Sequence, residues 1–230
     1  MSFGLTDQSA LVALADGIGY THASAVRGDV AEFGSFWGRS AEVLAAAVAR
    51  HGRQFSATDS AHGIAQRELW LFDSFQGLPT STHAADLTSP HVETGVWCWT
   101  IELGKGPTPE GMMKLCAAHL EQARIKIVPG WYKDTLGSIP AGKKFALVHA
   151  DCDLYESTYQ VLDHLLEHDM LSDGCALYFD DWYCNRGSPK FGQQKAFADI
   201  REKYGLTQPD RLTDWGAYGV LGRRFIVHEA

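Results

Sequence analysis

The sequence predicts an α/β fold: a mostly parallel seven-stranded sheet with helices on both faces and a closing C-terminal antiparallel hairpin. Five apolar runs have the character of buried strands, and segments with helical periodicity separate them. Two of these runs end in acidic clusters, Asp151-Cys152-Asp153 and Asp180-Asp181. Because ligands bind beyond the carboxyl ends of parallel strands, the sequence predicts a functional site at that edge of the sheet.

The strands are predicted from short continuous apolar runs, a pattern typical of strands that are buried on both faces. The runs ending at Val148 and at Phe179 are the clearest. A last segment with two short apolar stretches predicts the hairpin. In chain order the predicted strands cover residues 29–33, 68–73, 125–128, 145–150 and 175–179, and the hairpin covers 212–214 and 218–227.

The helices are predicted from apolar residues three and four positions apart. Leu11, Leu14 and Ile18 have this spacing and predict an N-terminal helix that packs outside the main sheet. The predicted helices cover residues 5–24, 40–51, 109–124, 154–168 and 190–204.

Two segments interrupt this alternation within a single predicted domain, residues 1–230. Residues 53–67 are polar and irregular and predict an insertion. Residues 74–108 are long for a loop, and their prolines, histidines and tryptophans predict an ordered lid. We expect substrate specificity to reside in these two segments.

The composition indicates an ordinary globular protein, with 45% hydrophobic and 21% charged residues. The net charge of −8, without any basic tract, argues against nucleic acid or an anionic membrane as a partner and favours a small molecule. The N-terminus has no basic region followed by an apolar stretch, so a cytoplasmic location is expected. The five cysteines form no C-x-x-C pair, which predicts free thiols.

The two acidic clusters lie about one strand-helix-strand unit apart and should meet at one edge of the sheet. Carboxylates gathered in this way repel one another unless a cation or a proton intervenes. Carboxylate oxygens are ligands of hard divalent cations, so the pattern favours Mg²⁺ over Zn²⁺.

Two features at the ends of the first two predicted strands suggest a nucleotide-containing cofactor. Gly34 follows the first strand, where a glycine lets the backbone approach a nucleotide, although a purely structural turn explains it equally well. Asp73 ends the second strand, where a carboxylate can accept hydrogen bonds from both hydroxyls of a ribose. The alternative is that Asp73 caps the turn that follows it. No G-K-[ST] motif is present, which disfavours triphosphate binding.

Five segments carry a family resemblance. They are VAEFGSFWGRSA (30–41), LFDSFQGLP (71–79), PGWYKDTL (129–136), HADCDLYEST (149–158) and FDDWY (179–183). Together they resemble the macrocin-type O-methyltransferases, which include enzymes for mycinamicin and novobiocin sugars. Those are Rossmann-like class I enzymes that use S-adenosylmethionine and Mg²⁺ to methylate sugar hydroxyls on natural products.

The resemblance implies which residues surround the cofactor. They are Glu32, Gly34 and Ser40 for its methionine part, Asp73 and Ser74 for the ribose, and Gly130 and Trp131 for the adenine ring.

The resemblance also implies that Asp151, Asp180 and Asp181 bind the metal ion, while Asp153 is expected to cap the helix after it or to brace the site. Asp151 would stand at the metal and face the donor methyl group, so we expect it to be the base that deprotonates the acceptor. His149 is the rival base, although a histidine on a buried strand is more often structural.

The catechol and caffeoyl-coenzyme A methyltransferases carry a catalytic lysine three residues after the first metal aspartate, and here Leu154 occupies that position. A lysine base at this position is therefore absent. These enzymes also have asparagine after the second acid, whereas this chain has Asp181.

Two other functions fit parts of the sequence. A metal-dependent glycosyltransferase could use the D-x-D pattern at 151–153, and a non-catalytic binding protein could retain the same fold. The acceptor is left open among a free deoxysugar, a nucleotide-linked sugar, a glycosylated macrolide and a phenol. A homo-oligomer is possible through the first helix and the final hairpin.

Overall fold

The computed structural model describes residues 8–86, 93–95, 97 and 107–229. A seven-stranded sheet with the order β3-β2-β1-β4-β5-β7-β6 forms its centre. The strands are β1 (Asp29–Phe33), β2 (Leu69–Asp73), β3 (Ile125–Pro129), β4 (Phe145–Ala150), β5 (Leu171–Phe179), β6 (Leu212–Tyr218) and β7 (Gly222–Val227). The first five are parallel to one another, whereas β7 runs antiparallel to both β5 and β6. The predicted fold class is therefore confirmed.

Seven α-helices lie around the sheet within the described ranges. They are α1 (Gln8–Ala23), α2 (Arg39–Gln54), α3 (Ser56–Ala61), α4 (Pro109–Ala117), α5 (Tyr132–Thr135), α6 (Tyr155–Glu167) and α7 (Gly192–Lys203). Helix α4 begins at a proline, where a missing N–H is tolerated, and the hydroxyl of Thr108 accepts a hydrogen bond from the amide of Gly111. It ends earlier than predicted, and a short 3₁₀ helix at Gln122–Arg124 follows it.

The core consists of two hydrophobic clusters, one on each face of the sheet. On one face, α6 and α7 contribute Val161, Leu165 and Phe197. On the other face, α1, α2 and α4 cover the sheet, and all six residues of β4 are buried between the two clusters. The continuous apolar runs of the sequence are the consequence, because both faces of these strands are covered.

Helix α1 packs directly on the sheet, and the prediction that it lies outside the sheet is wrong. Leu14 and Ile18 are fully buried against this face. A Cβ atom at Gly17 would lie 2.5 Å from the hydroxyl oxygen of Tyr178 on β5. The glycine therefore provides the space that lets the helix approach the strand.

The segment 53–67 is also more ordered than predicted. Helix α2 extends into it and α3 follows. Asp59 of α3 binds the ring of buried His22, and the guanidinium of Arg67 is 1% exposed and donates to backbone carbonyls, including that of Val26. The segment 53–67 leads into the amino end of β2. It therefore ends on the side of the sheet opposite the carboxyl edge that carries the acidic residues. The expected specificity role of this segment is therefore not supported by its position.

Within the described residues, no helix combines the length and the apolar character that crossing a membrane requires. Four of the five cysteines lie in described ranges, and all four are free thiols, as predicted: Cys116, Cys152, Cys175 and Cys184. Much of the predicted lid falls at 87–92, 96 and 98–106, outside the described residues.

Candidate active site

The two acidic clusters follow the carboxyl ends of adjacent strands, β4 and β5, and these two ends lie side by side. Ala150 of β4 pairs with Phe179 of β5, so Asp151 and Asp180 follow paired residues. The amide of Asp180 donates to the carbonyl of Ala150 over 3.2 Å, and the amide of Asp151 donates to the carbonyl of Phe33 over 2.9 Å. The sheet therefore brings the predicted acids together with the end of β1, as strand-end reasoning requires.

The carboxylates at this edge strongly influence one another. Burial raises the pKa of Asp151 well above its usual value, and the nearby Asp180 and Asp181 raise it further. Burial and the same two neighbours also raise the pKa of Asp153. Burial followed by the charge of Asp180 raises the pKa of Asp181 to about 7. The edge therefore holds an excess of negative charge that a cation or bound protons would relieve.

These oxygens have the chemistry that Mg²⁺ requires, but their positions do not form a complete binding site. In the described part of the chain, no three His, Cys, Asp or Glu side chains are arranged to hold a metal ion. Asp180 Oδ1 accepts from the hydroxyl of Tyr218 over 3.2 Å, whereas Asp181 Oδ2 accepts from the amide of Asp153 over 3.2 Å. The two adjacent acids are thus turned towards different partners, and the predicted Mg²⁺ site stays a prediction.

Asp153 does not cap α6, and this expectation is wrong. Its φ of 55° places it in the left-handed region, and Leu154 precedes the helix without a side-chain cap. Its backbone amide instead contacts Asp181. The second part of the expectation, that Asp153 braces the site, agrees with this contact.

The cap of α6 comes from Asp86 in the predicted lid. Asp86 is 1% exposed, and its Oδ1 accepts from the amide of Tyr155 over 2.6 Å. Its Oδ2 accepts from the hydroxyl of Ser81 over 2.7 Å, and the carbonyl of Ala85 accepts from the amide of Gly192. This part of the lid is therefore fastened to the first turns of α6 and α7. Sequence reasoning missed Asp86 because its partners lie far along the chain.

Glu32 forms a buried ion pair with His149. Glu32 Oε1 lies 3.0 Å from His149 Nδ1, and Glu32 Oε2 accepts from the hydroxyl of Ser35 over 2.6 Å. Burial alone would lower the pKa of His149, but contacts with Asp180 and Glu32 raise it well above 6.5. This shift favours the protonated imidazole, in which Nδ1 donates to Glu32 Oε1. Because a protonated histidine cannot accept a proton, this geometry argues against His149 as the base.

Gly34 is required by a close backbone contact. Its φ is 91°, and a Cβ atom at this position would lie 1.7 Å from the carbonyl oxygen of Asp151. The turn after β1 therefore lies directly on the backbone of the first acidic cluster. The structural explanation of Gly34 is thus confirmed, and the same contact places the predicted cofactor turn beside Asp151.

Asp73 holds two turns together. Its Oδ2 accepts from the amides of Ser35 and Phe36 over 2.8 and 2.9 Å, and its Oδ1 accepts from the amide of Phe75 over 2.6 Å. The predicted cap on its own turn is confirmed. Ser74 completes this turn, since its hydroxyl donates to the carbonyl of Gly77. A carboxylate has about four acceptor positions, so roughly one is left for a ligand.

The other predicted cofactor residues lie around the same edge. Ser40 is in the first turn of α2, which has no side-chain cap. Gly130 has a φ of 136°, and its amide donates to the carbonyl of Asp73 over 2.9 Å. Trp131 is half-buried and directly precedes α5. Whether these residues contact a cofactor is a prediction.

Trp182, which follows the acid pair, packs inward. Its ring lies 5.2 Å from that of Phe179 and 5.1 Å from that of Phe225. A tryptophan after the acid pair could stack on a sugar or cover the site, and this inward packing favours the covering role.

The sheet has five parallel strands and an antiparallel pair, β7 and β6, at one side, and carboxylate side chains lie at its carboxyl edge. This architecture is that of the class I methyltransferases. The sequence model of the macrocin O-methyltransferases (TylF) matches residues 1–221, and the chain belongs to that family. It is an O-methyltransferase by this membership. The D-x-D at 151–153 lies within the residues that this family model matches, and none of these comparisons supports the glycosyltransferase alternative.

Two curated relatives and one solved structure are similar to the chain. The tetracenomycin 4'-O-methyltransferase of Streptomyces olivaceus, which acts on 8-demethyl-8-(2,3-dimethoxy-alpha-L-rhamnosyl)-tetracenomycin-C, is 30% identical over 87% of this chain and 67% of its own length. The mycinamicin III 3''-O-methyltransferase of Micromonospora griseorubida is 26% identical over 86% of this chain and 69% of its own. The O-methyltransferase NovP superposes with a TM-score of 0.68 at 23% identity, over 95% of this chain and 79% of its own, which supports the fold.

Proposed function

We propose that the protein transfers a methyl group from S-adenosylmethionine to a hydroxyl of a sugar or glycosylated natural product, with Mg²⁺ as cofactor. The close approach of the turn at Gly34 to the carbonyl of Asp151 carries this proposal, because a donor held by this turn would lie beside an acceptor held at Asp151. The relatives' names support the substrate class, since they describe methylation of sugar-bearing compounds.

The turn after β1 would hold the methionine part of the cofactor. In this proposal Glu32, Gly34 and Ser40 line that part. Glu32 accepts a buried hydrogen bond from the hydroxyl of Ser35 and pairs with the ring of His149, and these contacts favour a fixed turn rather than a flexible one.

The ribose and adenine would lie at the ends of β2 and β3. Asp73 has about one acceptor position left, so it would accept from one ribose hydroxyl, with Ser74 beside it. Gly130 and Trp131 would flank the adenine ring. The partly exposed indole of Trp131 offers a surface for such a ring.

Asp151, Asp180 and Asp181 would hold Mg²⁺, which needs oxygen ligands of this type. When bound there, the cation supplies positive charge that lowers the pKa of a substrate hydroxyl. Asp151 would accept the proton of this hydroxyl.

A radiolabelled methyl-transfer assay over a panel of glycosides tests the function. We expect transfer to at least one glycoside, loss of transfer with a chelator and recovery with Mg²⁺. Asp151→Asn should lower kcat by about a hundredfold or more while leaving S-adenosylhomocysteine affinity unchanged. Asp210→Asn, at an exposed site, is the matched control.

Three results would contradict parts of the proposal. If a chelator does not affect methyl transfer, Mg²⁺ is excluded as a cofactor. If the Asp151→Asn variant is active and responds to the metal, Asp151 is excluded as the base. Cofactor binding without transfer to any glycoside or phenol would favour the non-catalytic alternative. The cytoplasmic location and the homo-oligomer stay predictions from the sequence.

A further inference from the structure

The segment that follows the acid pair makes a left-handed turn. Asn185, Arg186 and Gly187 have φ values of 58°, 61° and 68°. The left-handed region is costly for residues other than glycine and is normally visited by single residues, so two successive non-glycine residues there are unusual. Backbone strain of this kind persists only where the surrounding contacts impose it, and it is concentrated at functional sites. The turn is therefore a candidate for a role in the reaction.

Backbone hydrogen bonds tie this turn to the acid pair. The amide of Cys184 donates to the carbonyl of Asp181 over 3.0 Å, and the amide of Gly187 donates to the carbonyl of Tyr183 over 3.0 Å. The thiol of Cys184 also donates to Asp181 Oδ1 over 3.5 Å. The position of Asn185 is thus fixed relative to the carboxyl end of β5.

The side chain of Asn185 lies beside the first acidic cluster. A Cβ atom at Gly192, the first residue of α7, would come within 2.9 Å of Asn185 Nδ2 and within 3.5 Å of the carbonyl oxygen of Asp153. Asn185 and Asp153 therefore meet at Gly192, at the edge of the sheet that carries the acids.

Asn185 Oδ1 is a buried acceptor that no donor in the described ranges reaches. Gln193, the neighbouring amide at this edge, is different. Its Oε1 accepts from the amide of Asp181 over 2.9 Å, and its Nε2 donates to the carbonyl of Ala150 over 2.9 Å. Gln193 thus has a structural role, whereas the acceptor capacity of Asn185 is unused within the described part of the chain. Buried polar atoms without a partner are rare in folded proteins, and this one leaves a place for a donor from a bound molecule.

The chemistry of an amide oxygen indicates which donor fits. It accepts a hydrogen bond but does not take up the proton near neutral pH. It therefore suits a hydroxyl that keeps its hydrogen, and not the hydroxyl that is deprotonated and methylated.

We propose that Asn185 is a specificity-determining residue of the acceptor site, whose Oδ1 accepts a hydrogen bond from a second hydroxyl of the bound sugar. This inference rests on the proposed function, because it takes the acceptor to bind at the acidic edge, but it needs no bound cation. It also narrows the substrate class to sugars with at least two free hydroxyls and disfavours a phenol with a single hydroxyl.

Nuclear magnetic resonance of the full chain tests this contact directly. Asn185 is the only asparagine in the sequence, so isotopic labelling of asparagine side chains yields one side-chain amide group to observe. The probe is the glycoside with the highest kcat/KM in the panel, at saturating concentration, added to protein saturated with S-adenosylhomocysteine. We expect it to shift the Asn185 amide signal. Among its monodeoxy analogues, the one that lacks the bonded hydroxyl should leave the signal in place.

Asn185→Gly tests the effect on the reaction. Glycine adopts a positive φ readily and removes the amide, so the turn should be retained. The wild type should methylate the glycoside with a kcat/KM about tenfold or more above that for this monodeoxy analogue, because the analogue leaves a buried acceptor unpaired. In Asn185→Gly the ratio should fall close to unity through a loss on the glycoside, with unchanged affinity for S-adenosylhomocysteine.

Arg186→Gly is the matched control. Arg186 lies in the same turn with nearly the same φ, and its side chain is exposed. The change to glycine loosens the backbone in the same way but leaves the amide of Asn185 in place. The ratio between glycoside and analogue should therefore keep its wild-type value. Thermal unfolding confirms that both variants are folded.

The outcomes separate this inference from the proposed function. If the glycoside is methylated but does not move the Asn185 signal, or if Asn185→Gly keeps the wild-type ratio, the role of Asn185 is overturned and the function stands. If both glycine variants lose the ratio equally, the rigidity of the turn sets specificity, and the role of the amide is likewise overturned. If the wild type methylates no glycoside of the panel, the proposed function fails and the inference fails with it.

Discussion

Glu32 Oε1 lies 3.0 Å from His149 Nδ1, and the two side chains are 0% and 1% exposed. The pair joins β1 to β4 at neighbouring positions, since Glu32 and His149 are register partners. Burial lowers the pKa of His149, but contacts with Asp180 and Glu32 raise it above its ordinary value, and this shift favours an ionic hydrogen bond. A buried ion pair therefore lies between the predicted cofactor turn and the acidic cluster.

Removing one partner of this pair should strongly destabilise the protein. Glu32→Leu leaves a buried imidazolium without its carboxylate, so the free energy of unfolding should fall by about 3–5 kcal/mol in urea titrations. Adding His149→Phe should recover part of this loss, because no buried charge is then unpaired. As a control, Glu121→Gln removes an exposed ion pair with Arg124 and should cost less than about 1 kcal/mol. Equal losses for Glu32→Leu and Glu121→Gln would contradict the ionic interpretation.

Gly34→Ala should prevent normal folding of the site. The new methyl group would overlap the carbonyl oxygen of Asp151, which the backbone cannot move without breaking the β1–β4 contact. Gly142→Ala is the control, because Gly142 also has a positive φ, 77°, but nothing lies within 4 Å of the added atom. We expect about 1–2 kcal/mol of destabilisation for the control and clearly more for Gly34→Ala, measured by thermal unfolding. Similar melting temperatures would show that the turn can move away.

Asp86→Ala should free the amino end of α6 and the part of the lid bound to it. Loss of a buried cap leaves the amide of Tyr155 without its partner, so we expect a destabilisation of about 2–3 kcal/mol. Limited proteolysis should cut the chain near residues 80–86 faster than in the wild type. Thr108→Ala removes an exposed cap from α4 and should cost only about 1 kcal/mol, with no change in lid cleavage. Unchanged cleavage in Asp86→Ala would show that other contacts hold this segment.

Asp181 should make stability fall as pH rises in the absence of divalent cations. Its folded-state pKa of about 7 exceeds the ordinary value of 3.8, because of burial and the charge of Asp180. The folded state then binds a proton that the unfolded state releases, so ionisation between about pH 4 and pH 7 weakens folding.

Asp181→Asn cannot ionise, so its melting temperature relative to the wild type should increase from pH 5 to pH 8 in buffer with chelator. Each kcal/mol corresponds to roughly 2–4 °C for a chain of this size. The exposed-site variant Asp210→Asn should show a constant difference across the same range. Parallel curves for wild type and Asp181→Asn would refute the raised pKa.

The strands were predictable because their signal is local. The run ending at Phe179 and the acid after it define both the strand and its carboxyl edge within a few residues.

The position of α1 was not predictable in the same way. Gly17 allows the helix to approach Tyr178, and nothing near Gly17 in the sequence indicates which strand it meets. The helix α3 was missed because it is short and polar, and tertiary contacts such as Asp59 with His22 stabilise it.

The residues of the site also fall into two groups, those that the local sequence predicts and those that only the folded structure reveals. Asp151, Asp180 and Asp181 lie next to strand ends. The alternation of strands and helices in the sequence was therefore enough to predict that they meet at one edge of the sheet. Asp86 and Tyr218 act on partners that are distant in sequence, through a helix cap and a side chain that crosses a strand. Neither leaves a local pattern, and only the folded chain brings them to the site.

The hydrogen bonds from Ser35 and Phe36 to Asp73 have a consequence for ligand affinity. They tie one loop to another within the chain, so the entropy of the loop is lost when the protein folds and not when a ligand arrives. Binding energy that would otherwise be spent on ordering the loop then contributes to affinity. Such a loop behaves as a rigid receptor, for which association is limited by diffusion and docking and not by rearrangement.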